Sequence, residues 1–209
     1  MNKVLNFIKT SFRHFMSKVA NLLNKISGGK ITPNGITWFG FAMHIPIAYL
    51  IATGNLIVAG IGLIIFGLFD TLDGELARLQ KSVSNVGGFL DASTDRLKEV
   101  LLYSGVAYYL ASTGNPKYAA IAVLACGASI SVSYVKAKGE AIVASSAKKI
   151  PYTKLNRMFS DGFFPFEIRM AVLALGLFSG KVVWAIAIIA VFSIITVFQR
   201  IYNIAKAIK

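Results

Sequence analysis

The chain alternates long apolar stretches with short polar breaks, and the first stretch differs in kind from the rest. Over residues 2 to 26, Val4, Leu5, Phe7, Ile8, Phe12, Phe15, Met16, Val19, Leu22, Leu23 and Ile26 recur at helical spacing, with Lys3, Lys9, Arg13, Lys18 and Lys25 between them. An apolar face opposite a basic one predicts an amphipathic helix lying in a membrane interface. Gly28, Gly29 and Lys30 break that pattern, and Thr32, Pro33 and Asn34 supply turn and cap chemistry. From there the apolar positions become nearly continuous.

Six such segments follow, at about residues 34 to 53, 55 to 79, 86 to 112, 117 to 145, 164 to 179 and 181 to 206. Each reaches or approaches the roughly 20 residues that cross a hydrocarbon core, so six spanning helices are predicted. The breaks at Gly54 and Asn55, at 112 to 116, and at Ser179 and Gly180 are short and poor in charge. The links at 79 to 85 and 146 to 162 carry Lys81, Lys148, Lys149, Lys154 and Arg157. Together with the basic start, Lys206 and Lys209, these outweigh Lys117 and Lys181 on the opposite side, which places both termini in the cytoplasm. No internal repeat or low-complexity tract divides the chain. The expected fold is an all-α integral membrane domain over residues 1–209, with an amphipathic juxtamembrane helix over 1–30 and a six-helix bundle over 31–209.

Composition agrees with a membrane setting: of 209 residues 56% are hydrophobic and 15% charged, and mean hydropathy is +0.64. The formal net charge of +13 fits cytoplasmic loops facing anionic headgroups. No alternation of basic and aromatic residues points to nucleic acid, which is not expected as a partner. The basic start lacks the short apolar core and cleavage site of a signal peptide, so the first segment is expected to stay on the mature chain. Cys126, the single cysteine, is expected to be a small core residue.

The acids change the picture. Six of nine, Asp70, Asp73, Glu75, Asp91, Asp95 and Glu99, fall within thirty residues of an otherwise basic chain, in stretches apolar enough to lie in a membrane. One ionised aspartate near the bilayer centre costs roughly 2.5 to 3.5 kcal/mol on insertion scales, so four together require compensation. Asp70 and Asp73 are three positions apart and Asp91 and Asp95 four, so each pair shares a helix face with Cβ atoms about 5 to 6 Å apart. Two neighbouring helices can present all four carboxylates to one point. That charge matches two divalent cations, and oxygen ligands with a phosphate-bearing substrate suit Mg2+, with Mn2+ the alternative. Gly74, Ala77 and Gly87 lie one turn from the acids and leave a smooth strip, which suits either helix packing or a closely approaching ligand. Arg78 ends the same face, either to bind phosphate or to reach interfacial headgroups.

The ordered set Asp70, Asp73, Gly74, Ala77, Arg78, Gly87, Asp91 and Asp95 resembles the signature of the CDP-alcohol phosphotransferase family and fills each of its fixed positions. The six-helix plan, the preceding amphipathic helix and the turn at Thr32, Pro33 and Asn34 extend the resemblance over the whole chain. It implies a metal-dependent enzyme in which an alcohol hydroxyl attacks the β-phosphate of a CDP-linked alcohol and CMP leaves. By position, Asp70, Asp73, Asp91 and Asp95 would hold two metals, with Asp91 and Asp95 catalytic and Asp95 also the base. Asp70, Asp73, Gly74, Ala77, Arg78 and Gly87 would form the CDP site. The family also implies a homodimer and a site open to the cytoplasm.

A second polar group lies at Ser133, Lys136, Arg169 and Arg200. Ser133 and Lys136 share a helix face, and Lys136 alone reads as a positive-inside anchor. With Arg169 and Arg200 in the cytoplasmic halves of later helices, the cations suit a second phosphate. They resemble the branch that makes phosphatidylinositol phosphate or its archaeal ether counterpart, in which these four residues would hold the phosphate of the acceptor alcohol. Glycerol 3-phosphate, as used in phosphatidylglycerol phosphate synthesis, would meet the same cations. Transfer of a CDP-activated headgroup to a lipid alcohol is a further alternative. A cation transporter or channel would also gather membrane aspartates, yet transport does not require the spacing of Gly74, Ala77, Arg78 and Gly87. His14 and His44 have no second histidine at ligand spacing, and packing or interface roles are expected of them.

Overall fold

The structure, a computed structural model, describes residues 2–114, 116–145 and 163–208. Among the described residues the chain forms eight helices and no strand: α1 (Asn2–Ile26), α2 (Pro33–Ala52), α3 (Leu56–Gly67), α4 (Phe69–Leu79), α5 (Asn85–Ser112), α6 (Lys117–Ser145), α7 (Phe166–Ser179) and α8 (Val182–Ile208). The basic link expected around Lys148, Lys149, Lys154 and Arg157 lies outside the described residues, as does Lys209.

Four stretches are long and apolar enough to cross a membrane: Pro33–Ala52, Leu56–Leu79, Lys117–Val143 and Val182–Lys206. The other two segments expected to span are of a different character. At 28 residues α5 is long enough, but it carries Asp91, Asp95, Arg96, Lys98 and Glu99 within nine positions. At 14 residues α7 rises only about 21 Å. The expected single helix over 55 to 79 is divided at Leu68. There the ladder tightens, the Leu68 N–H donating to the Ile65 carbonyl at 3.2 Å before α4 resumes. Gly67, a weak helix former, sits at the break. The start of α2 is capped as its sequence suggests: Thr32 Oγ1 accepts the Gly35 N–H at 3.1 Å, and Pro33 takes the first helical position.

The described residues pack as two units, one from Met1–Ile47 and Ile61–Leu101, the other from Ala48–Gly60 and Leu102–Lys209. In the first unit, α1 buries Met16 and Ala20 against Ile36 of α2 and Leu72 and Leu76 of α4. Each large side chain so buried contributes about 1.5 to 3 kcal/mol. Gln80 pins the ends of the same helices, donating from Nε2 to Asn24 Oδ1 at 2.8 Å and to the Ile31 carbonyl at 2.9 Å. These contacts fix α4, which carries Asp70 and Asp73. Beside the buried stripe, α1 exposes Phe15, Leu22 and Ile26 as a second apolar stripe.

In the second unit, α8 packs against both α6 and α7. Gly176 lets α7 come close to α8, since a Cβ there would stand 2.3 Å from Ala185 Cβ. Gly105 plays the same part on α5, where a Cβ would meet the Ala48 carbonyl oxygen at 2.4 Å. Small residues at such crossings are the usual device for packing helices where lipid removes the hydrophobic driving force. Trp184, Val191, Ile195, Phe198 and Tyr202 remain exposed along one stripe of α8. An apolar face of that extent needs a non-aqueous cover, so the chain fits a multi-pass membrane protein.

Candidate functional site

The first unit contains a cavity of about 350 Å³ lined by residues of α2, α4, the link after α4, and the start of α5. Pro33, Asn34 and Thr37 come from α2, and Asp70, Asp73, Gly74, Ala77 and Arg78 from α4. Gly87 and Asp91 come from α5. The small residues form part of the cavity wall. A Cβ at Gly87 would touch Asn34 Oδ1 and Ser84 Oγ at 3.4 Å, and one at Gly74 would touch Arg78 Nη2 at 3.5 Å, so the glycines leave the wall low.

Three of the four aspartates converge. Asp70, Asp91 and Asp95 each offer a carboxylate oxygen within 4.8 Å of the others, and all three are half-buried. Asp73 stands apart from this trio. It is buried at 6% exposure and accepts a hydrogen bond from Thr37 Oγ1, which also donates to the Pro33 carbonyl at 3.2 Å. The hydroxyl fixes the Asp73 carboxylate against α2. The expected presentation of four carboxylates to one point is thus three at a point and one held beside it.

Basic side chains surround the acids. Lys98 is buried, its ammonium bound to Asp70 and 3.2 Å from Asp95 Oδ1. Arg96 donates from Nη1 to Glu99 Oε2 at 2.7 Å and approaches Asp95 Oδ2 at 3.7 Å. Arg78 is directed to Glu75, with Nη2 2.6 Å from Oε1, and Arg13 of α1 reaches the same oxygen at 3.1 Å. Asp91 differs from its neighbours: its Oδ1 is buried with no hydrogen-bond partner. A buried carboxylate oxygen left in this way costs about 1 to 3 kcal/mol or more, which a cation would recover. The donor set is therefore hard oxygen, negatively charged and under-satisfied, which fits a divalent cation such as Mg2+ or Mn2+.

Two members of the site escape a reading of the sequence by charge clustering. Lys98 reads as one more basic residue, although its place three positions after Asp95 puts it on the same face of α5. Thr37 lies 36 residues from Asp73, and only its position one turn after Pro33 ties it to the cavity. His44 is buried, and its Nδ1–H donates to the Gly40 carbonyl at 2.7 Å, a packing role as expected. Cys126 is half-buried rather than fully enclosed.

The second polar group falls in the second unit. Arg169 is 1% exposed and donates from Nη1 to the Phe164 carbonyl at 3.0 Å. Arg200 is 6% exposed and donates from Nη1 to the Val132 carbonyl at 2.7 Å, while its Nε is buried without a partner. Val132 directly precedes Ser133 along α6. Lys136, one turn on, is half-buried, 3.9 Å from Glu140. The structure thus brings Arg200 to the Val132 carbonyl, one residue before Ser133, and leaves Lys136 half-buried beside Glu140.

Comparison with known proteins follows the same lines. The sequence profile of the CDP-alcohol phosphatidyltransferase family matches residues 30–198. The phosphatidylinositol phosphate synthase of Mycobacteroides abscessus is 31% identical over 92% of this chain and 86% of its own length. The archaetidylinositol phosphate synthase of Pyrococcus horikoshii is 27% identical over 99% of each chain. The fold resembles the crystal structure of Mycobacterium tuberculosis phosphatidylinositol phosphate synthase with CDP-DAG bound, at a TM-score of 0.77 and 23% identity over 91% of this chain and 94% of that one. The same protein has been solved with manganese and citrate. Signature, cavity, fold and profile agree, and the chain belongs to the CDP-alcohol phosphatidyltransferase family.

Proposed function

We propose that this enzyme transfers a phosphatidyl or archaetidyl group from a CDP-linked lipid to a small phosphorylated alcohol, inositol phosphate being the best candidate, and releases CMP. The observation that carries the reading is the convergence of Asp70, Asp91 and Asp95, two of which, Asp70 and Asp91, line a cavity walled by Gly74, Ala77, Arg78 and Gly87. Relatives named phosphatidylinositol phosphate and archaetidylinositol phosphate synthase support the choice of acceptor. The partnerless Nε of Arg200 supports an acceptor that itself carries a phosphate.

In this reading Asp70, Asp73, Asp91 and Asp95 hold two divalent cations, Mg2+ or Mn2+. When bound, these neutralise the diphosphate and stabilise the departing CMP oxygen. Gly74, Ala77 and Gly87 let the CDP moiety lie against α4 and α5. Glu75 occupies Arg78 Nε and Nη2 and so fixes the guanidinium plane, leaving Nη1 for the diphosphate. Ser133, Lys136, Arg169 and Arg200 bind the acceptor's phosphate. Asp95 accepts the proton of the acceptor hydroxyl as its oxygen bonds to the β-phosphorus. The bond from that phosphorus to the bridging oxygen breaks, and CMP carries away the electron pair.

The membrane arrangement belongs to the same proposal. Six spans, with α5 and α7 completing the set begun by the four apolar stretches, place both termini and the site on the cytoplasmic side. The exposed stripe of Phe15, Leu22 and Ile26 lets α1 lie in the interface. The enzyme works as a homodimer. The test is an acceptor screen on the detergent-purified chain, with CDP-diacylglycerol or its ether analogue and Mg2+. CMP should appear with inositol phosphate well ahead of glycerol 3-phosphate, serine or inositol. Faster release with glycerol 3-phosphate would move the chain to the phosphatidylglycerol phosphate branch, and release with unphosphorylated inositol would remove the role given to Arg200.

A further inference from the structure

Lys98 is a cation that the aspartate signature does not account for, and it lies inside the cluster. Its residue exposure is 1%, its ammonium binds Asp70 of α4, and Asp95 Oδ1 of its own helix is 3.2 Å away. Two carboxylates on different helices, both assigned above to metal, therefore already share a cation. A buried ammonium is costly unless paired. Here the pairing links α4 to α5 through the groups that must converge. The cavity is lined by Asp70, Asp73 and Asp91, whereas Lys98 and Asp95 are not among its lining residues, so the ammonium meets the carboxylates from the protein interior.

We propose that Lys98 is a resident counter-cation of the aspartate cluster: it gathers Asp70 and Asp95 at ligating distance before metal binds, and its charge opposes the cation that the cluster would hold. The inference rests on the metal reading of the preceding section. The two halves of the role have opposite signs. In metal-free protein the ammonium relieves repulsion between Asp70 and Asp95, so it stabilises the fold. In metal-loaded protein it adds a like charge within a few ångströms of the cation, so it weakens binding. A lysine that only filled space would affect both states equally.

The test measures Mn2+ binding to the purified full chain by electron paramagnetic resonance, together with Tm in EDTA and at saturating Mn2+. Lys98→Met should tighten the weaker class of Mn2+ sites by at least about tenfold, because a charge at this distance acts through a low effective dielectric. Its Tm should fall below wild type in EDTA, and the deficit should close with Mn2+. Lys98→Arg, which keeps the charge, should stay close to wild type in both. If Lys98→Met does not fold, Lys98→Gln is put through the same comparison. Equal or weaker Mn2+ binding by the neutral variant overturns the role of Lys98 alone, as does a Tm deficit of equal size in both conditions. Absence of Mn2+ binding by wild type overturns the metal reading and this inference together.

Discussion

The two polar groups of this molecule handle buried charge in opposite ways. In the first unit the acids of α4 and α5 are answered by side chains of the same unit: Lys98 on Asp70 and Asp95, Thr37 on Asp73, and Arg96 on Glu99. In the second unit the buried guanidinium groups of Arg169 and Arg200 rest on the backbone carbonyls of Phe164 and Val132. A carbonyl orients a cation without neutralising it. The first unit is therefore a partly balanced site with an orphaned oxygen on Asp91, and the second holds a buried guanidinium nitrogen without a partner, Nε of Arg200. The contrast suits the two substrates proposed above, a CDP-linked lipid held with metal and an acceptor that carries a phosphate.

Variants can break this contrast at graded points. The largest effect is expected from Asp91→Asn, which removes the under-satisfied carboxylate. Turnover should fall by about a thousandfold or more, as for loss of a metal ligand, with the size-exclusion profile in detergent unchanged. Near-normal activity would refute the assignment of Asp91. Next comes Arg200→Ala: the KM for the phosphorylated acceptor should rise by roughly 10 to 100-fold while that for the CDP-lipid holds, the pattern of a lost charge-assisted contact to one substrate. Equal changes in both KM values would dissolve the separation between the two groups.

Thr37→Val tests the finer placement of Asp73. A hydrogen bond to a charged group contributes about 1.5 to 3 kcal/mol, so metal-dependent turnover should drop at least roughly tenfold with little change in either KM. The smallest effect is expected at Arg13→Ala. Its ion pair with Glu75 is 60% exposed on the arginine side, and Arg78 still holds Glu75 at 2.6 Å. Activity in detergent should change by less than about twofold, in keeping with the low worth of surface pairs. A tenfold loss would mean that α1 positions the Arg78 guanidinium.

Much of the site was legible because its chemistry violates its surroundings: aspartates in apolar helices are expensive, and their spacing of three and four residues states which face they share. The glycines were legible for the same reason, since Gly74 and Gly87 sit one turn from acids. What spacing within a helix leaves open is contact between helices. It gives no sign that Asp73 would be drawn to Thr37 rather than to the other three aspartates, nor that Lys98 would reach Asp70 across 28 positions. In the fold, helix periodicity and the cap at Thr32 were plain. The break at Leu68 was not, because Gly67 lies in an apolar run whose hydropathy is continuous through it. The apolar character of α5 was also diluted by the charges it carries for chemistry.

The account stands most directly on CMP release from a CDP-linked lipid by the purified chain, measured with and without Mg2+ and with inositol phosphate or inositol as acceptor. Release should require both the metal and the phosphorylated acceptor, and Asp91→Asn should abolish it. No CMP under any of these conditions, accompanied by cation flux in liposomes that depends on Asp91, would contradict the account and make the aspartates a transport path.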